Sequence, residues 1–205
     1  MHIAIRQQFR LDPHPPRRIL FGNASDDNMP STTITINRAP VLTLWAAVVA
    51  EQLGFTRDEA LSLAKAVAGL TAQSKGRRLG VFQPASKEIK AARARKRGEE
   101  FWIELCGRPV PALNTADGVR AVSGSAIIAS DGVERYLRGK FGDALEPARN
   151  AMRVLAAAFK PDALREKAFA LYTEFRPSVP AGVTGWGAKG RLDLGFIRSL
   201  AAKAR

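Results

Sequence analysis

Histidine is almost missing from this chain, and cysteine nearly so. Cys106 is the single cysteine, and the two histidines, His2 and His14, both fall in the first fourteen of 205 residues. A lone cysteine excludes an internal disulfide and any zinc site built on several thiolates. It is consistent with a reducing compartment. Beyond His14 the chain has no imidazole, the commonest general acid–base group and metal ligand. A Ser-His-Asp or Cys-His mechanism therefore has no histidine in the body of the chain. Cys106, next to alternating residues, reads as a packed strand residue rather than a nucleophile. No cofactor, no metal and no enzymatic activity are expected. No run of 18 apolar residues exists, so no membrane span is expected, and the first residues have no signal-peptide core. The expected setting is soluble and cytoplasmic.

Acids are scarce as well. The 19 Asp and Glu face 32 Lys and Arg, a net charge of +13. That surplus points to a polyanionic partner such as nucleic acid, an anionic membrane surface or an acidic protein. The alternative is compositional bias, because Arg is frequent here alongside Ala and Gly. The apolar share of 46% is in the ordinary globular range, so a core can be buried.

Periodicity divides the chain. Residues 1–28 hold Pro13, Pro15, Pro16 and the polar run Asn23–Asn28, with no apolar face; they are expected to be a disordered arm, with the native start at Met29. Residues 29–205 read as a single helix-rich α+β domain: a helix pair first, a short β-hairpin in the middle, helices last. Ile34 and Ile36 alternate with threonines, as in a strand. Val41, Leu44, Trp45, Val48 and Val49 then recur at helical spacing behind Pro40. Gly54 ends that helix, and Thr56 with Glu59 forms a capping box that starts the next, which carries Ala60, Leu63, Ala64 and Val67.

Phe101, Ile103 and Leu105 alternate into a strand, Gly107-Arg-Pro109 turns it, and Val110 to Leu113 return. A short strand is expected near Ala126–Ile128, then a helix from Ser130 to about Gly142. Two longer helices meet at Pro161. A last helix carries Leu192, Leu194, Ile197 and Leu200. The helices of residues 143–175, rich in Leu, Met and Phe, are candidates for a homodimer contact.

The loop Gly182–Arg191 contains the dinucleotide spacing Gly185, Gly187, Gly190. That fingerprint needs a strand before it and a βαβ unit of about 30 residues around it. Pro177 and Pro180 precede it instead, and only fifteen residues follow Gly190. A nucleotide cofactor is not expected there. Two readings remain: a turn whose Trp186 plugs the core, or a single-phosphate site from Lys189, Arg191 and the N–H groups of the last helix.

The segment 73–98 is the strongest charge signal. Lys75, Arg77, Arg78, Lys87, Lys90, Arg93, Arg95, Lys96 and Arg97 face one acid, Glu88. Clustered cations bind a phosphate backbone through counterion release. Aromatic interleaving is sparse, which favours duplex over single strands.

Residues 44–65 resemble a prokaryotic helix-turn-helix. Ala50 and Gly54 stand at the small-residue and turn positions, and Val49, Leu53, Phe55, Ala60 and Leu63 at the apolar ones. In such motifs the second helix enters the DNA major groove, so the resemblance implies Arg57, Ser62 and Lys65 as contacts. The expected function is a non-enzymatic nucleic-acid-binding protein acting on duplex DNA, as a regulator or nucleoid-associated factor; the alternative is an interaction or scaffold module with an acidic partner.

Overall fold

The computed structural model describes residues 33–78, 100–124, 126–183 and 187–204. The arm at 1–28, Lys87, Lys90, Arg93, Arg95, Lys96, Arg97 and Trp186 lie outside the described residues.

The helix at the centre is α1, Arg38–Gln52. Its sequence suggests one apolar stripe, yet every residue from Pro40 to Ala50 is buried. Ala46, Ala47 and Ala50 fill the faces the stripe leaves open, and a helix apolar all round belongs inside a core. Trp45 sits fully buried in it, its Nε1 donating to the Ala168 carbonyl at 2.8 Å. The Phe175 ring meets its indole edge-on with centroids 5.2 Å apart. The hydrogen bond lets the large ring be buried without stranding its N–H, and the edge-on contact adds packing.

A turn at Leu53–Thr56 leads into α2, Arg57–Arg78. On it lies a four-stranded antiparallel meander: β2 (Phe101–Leu105), β3 (Arg108–Thr115), β4 (Gly118–Ser123) and β5 (Ala126–Ile127). The turn from β2 to β3 is Cys106-Gly107, both left-handed at φ +50° and +66°, a pairing suited to two-residue hairpins. Cys106 is thus a turn residue rather than a strand residue. Its thiol is buried, and burial pushes its pKa up to about 12, so it carries no thiolate at neutral pH.

The hairpin expected from sequence is longer than its alternation suggests, because β4 extends it. Strand β4 hardly alternates; α2 holds it in place. Gly118 shows how closely: its φ is +96°, and a Cβ there would come within 2.5 Å of the Glu59 carboxylate.

Helices α3 (Ser130–Phe141), α4 (Leu145–Ala157) and α5 (Pro161–Phe175) follow, with a 3-10 turn at Gly142–Ala144. The apolar faces of α4 and α5, which in sequence suggest a dimer contact, are turned into the chain's own core: Leu145, Met152, Leu155, Leu164 and Phe175 are all buried. Among the large apolar residues of these two helices, Val154 and Phe169 are the exposed ones.

The last helix, α6, spans Leu194–Lys203. Leu192 belongs instead to β6, Lys189–Asp193, which pairs antiparallel with β1, Thr33–Asn37. The segment is a strand because β1 offers it a full backbone partner. Gly190, third glycine of the loop fingerprint, answers a packing need: a Cβ would meet the Ser178 carbonyl at 2.6 Å, where Ser178 and Arg191 form a β-bridge. Among the described residues no helix is long and apolar enough to cross a membrane.

Candidate anion-binding site

The two ends of α2 have different chemistry. At its start, Glu59 takes the Thr56 N–H at 2.8 Å and hydroxyl at 3.0 Å, which forms the carboxylate half of the capping box. Its other oxygen takes the Val119 N–H of β4 at 2.8 Å. The Val119 N–H, then the Thr56 N–H, stabilise the charged carboxylate against partial burial and hold its pKa below the usual range.

One turn on, Ser62 is fully buried. Its hydroxyl donates to the Ile128 carbonyl at 2.7 Å and accepts the Ala121 N–H at 2.9 Å. Ser62 therefore pins the sheet to α2 and is not available as a surface contact, contrary to the role the helix-turn-helix resemblance implies. Residues 60–64 are buried without a break.

Arg57 is drawn sideways into an ion pair with Glu134 of α3 at 3.0 Å. The same carboxylate takes Arg149 at 3.2 Å and Arg138 at 3.3 Å. Burial alone would raise the Glu134 pKa, but Arg149, Arg57 and the Arg138 hydrogen bond together lower it. Lys65 is exposed and lies over the Tyr136 ring at 4.6 Å.

At its other end α2 finishes on exposed Lys75, Arg77 and Arg78. At a rise of about 1.5 Å per residue this cluster lies ~30 Å along the axis from Arg57. It does not stand alone. A cavity of ≈ 820 Å³ opens beside it, and Arg38, Lys75, Arg78, Arg108 and Arg176 line it together. Those five cations come from α1, α2, β3 and the residue after α5. No carboxylate lines the cavity among the described residues. Arg38, Arg78, Arg108 and Arg176 form no ion pair with a described carboxylate.

The scaffold holds several of these groups in place. Arg38 Nε donates to the Pro177 carbonyl at 3.1 Å, and the Tyr172 hydroxyl donates to the Arg38 carbonyl at 3.2 Å. Burial raises the Tyr172 pKa to about 12 despite Arg38 and Arg176 nearby, so the hydroxyl stays protonated. Arg108 lies over the Phe169 ring at 5.9 Å. Leu42, Ala68, Val179 and Pro180 complete an apolar wall. Within the wall, the Thr71 hydroxyl is buried and has no hydrogen-bond partner among the described residues.

Of the residues singled out in the sequence, Lys75 and Arg78 line this cavity and Arg77 stands beside it; Arg57 and Lys65 belong to the far end of α2. Lys189 and Arg191 project outward from β6. The helix N-terminus that the sequence offers them for a shared phosphate is already capped, since the Asp193 carboxylate accepts the Phe196 N–H at 3.1 Å. An anion there would face that carboxylate. Arg38, Arg108, Arg176 and Thr71 carry no such signal in the sequence. They come from separate elements, and the packing of α1 against α2 and α5 and of α2 against β3 collects them.

No family model, no curated protein and no solved structure matches this chain. The cavity and its charges are what speak to function.

Proposed function

We propose that this chain is a non-enzymatic nucleic-acid-binding protein that holds duplex DNA by its phosphates, as a regulator or nucleoid-associated factor. The convergence of Arg38, Lys75, Arg78, Arg108 and Arg176 on one cavity without a lining carboxylate among the described residues carries this reading. A surface lined by one sign of charge on low-dielectric walls concentrates the opposite sign. Arg77 extends it, and in sequence the cluster runs on into Lys87, Lys90, Arg93, Arg95, Lys96 and Arg97. The last turn of a helix also favours bound cations, so Lys75, Arg77 and Arg78 are held there at little cost. The unbroken burial of residues 60–64 supports backbone contact over groove reading by the first turns of α2.

The test is fluorescence anisotropy with a labelled random-sequence duplex of about 25 base pairs, titrated from about 50 to 200 mM salt. Binding with a steep salt slope is expected. Replacing Arg93, Arg95, Lys96 and Arg97 together by alanine is expected to weaken it and to flatten the slope by about 0.9 for each phosphate no longer neutralised. No binding at the lowest salt would sink the proposal. Binding to an acidic protein that survives moderate salt, with none to DNA, would make the chain an interaction module instead.

A further inference from the structure

A duplex backbone has use for exposed cations but not for an apolar wall, which the cavity supplies beside its cations. We infer that the cavity enclosed by α1, α2, α5 and the Arg176–Val183 segment is a binding site for a free organic phosphate with an aromatic body, of mononucleotide size.

Size, charge and polarity agree on that class. A volume of ≈ 820 Å³ falls within the roughly 300–1,000 Å³ of pockets that enclose small organic ligands. Four arginines line the cavity, more charge than one carboxylate neutralises, and their planar forks match phosphate oxygens in pairs. Phe169, 37% exposed, offers a ring face at the rim with the Arg108 guanidinium above it, a surface on which a planar group can stack.

The head group thus belongs at the arginines and the aromatic body against Phe169. This site uses neither the glycine spacing nor the start of α6.

Isothermal titration of the full chain with AMP, inorganic phosphate and adenosine, with no nucleic acid present, tests the assignment. AMP is expected to bind one equivalent, at least about tenfold more tightly than either of its parts. Arg176→Ala, at an exposed position, is expected to weaken AMP about tenfold or more. Arg108→Gln, on β3, is expected to weaken AMP about fivefold or more. Lys203→Ala, at the exposed end of α6, should leave AMP affinity unchanged. Phosphate binding as tightly as AMP, AMP binding indifferent to both cavity substitutions, or no AMP binding at all would each overturn the assignment. Duplex binding without AMP binding rejects the cavity ligand alone, and AMP binding without duplex binding rejects the DNA proposal alone.

Discussion

The first two turns and the last turn of α2 belong to one helix and share little else. At the start, the polar groups are engaged by the fold. Glu59 forms the carboxylate half of the capping box and takes a β4 amide, Ser62 bridges two backbone groups, and Arg57 reaches a carboxylate on α3. At the end, cations gather toward a cavity whose described lining has no acid, near a hydroxyl with no partner among the described residues. The first arrangement minimises unpaired polar groups, as a folding unit must. The second gathers four arginines that pair with no described carboxylate, near a buried hydroxyl with no partner among the described residues. Polar residues on one helix can thus serve opposite ends, and satisfaction tells them apart better than residue type.

Substitutions at the two ends sharpen that contrast. The largest effect is expected from Ser62→Ala, which strands the Ala121 N–H and the Ile128 carbonyl inside the core. A loss of about 2–4 kcal/mol of stability is expected in urea denaturation, with phosphate binding per folded molecule unchanged. A loss below about 0.5 kcal/mol would show that the pin carries no stability.

Glu59→Ala is expected to cost less, about 1–2 kcal/mol, because the site is half-open to water and a cap is what disappears. Its signature is the pH dependence. The folded-state pKa of Glu59 is lowered, so its stabilisation is present above the unfolded carboxylate pKa and is lost as pH falls through the folded value. Glu134 acts in the same direction. Denaturation followed across the acid range should therefore show a shallower decline for Glu59→Ala than for the parent chain, with the Glu134 part remaining. Parallel curves would mean that Glu59 is no better satisfied folded than unfolded.

The smallest change in stability is expected at the other end. Arg77→Ala, at an exposed position off the cavity lining, should leave the stability within about 0.5 kcal/mol of the parent. In the anisotropy titration it should flatten the salt slope by about 0.9, the equivalent of one phosphate. An unchanged slope would confine DNA binding to other cations.

Much of the architecture was legible one segment at a time. The Thr56–Glu59 box, Gly54, Pro161 and the stop after Phe175 mark helix ends by local chemistry, and the structure ends its helices there. Strand β4 was not legible, because Gly118-Val-Arg-Ala-Val-Ser123 has no clean alternation and owes its place to α2. Leu192 reads as helical for the opposite reason: its spacing to Leu194 and Ile197 fits a helix, and only β1, more than 150 residues earlier, makes it a strand. Of the cavity, Lys75 and Arg78 could be found because they sit in a charge cluster. Arg38, Arg108 and Arg176 are isolated cations in sequence, without a neighbour to draw notice.

What the sequence determined by itself is therefore local or additive: the surplus of positive charge, the scarcity of imidazole and thiol, the helix caps and the periods of its stronger elements. Each depends on a few adjacent residues or on a sum over all of them. Tertiary structure alone decided which polar side chains are satisfied. It buried Ser62 between two backbone partners, drew Arg57 onto Glu134, and brought arginines from four segments to one cavity. Satisfaction is a property of neighbours in space, and most of those neighbours are far apart along the chain.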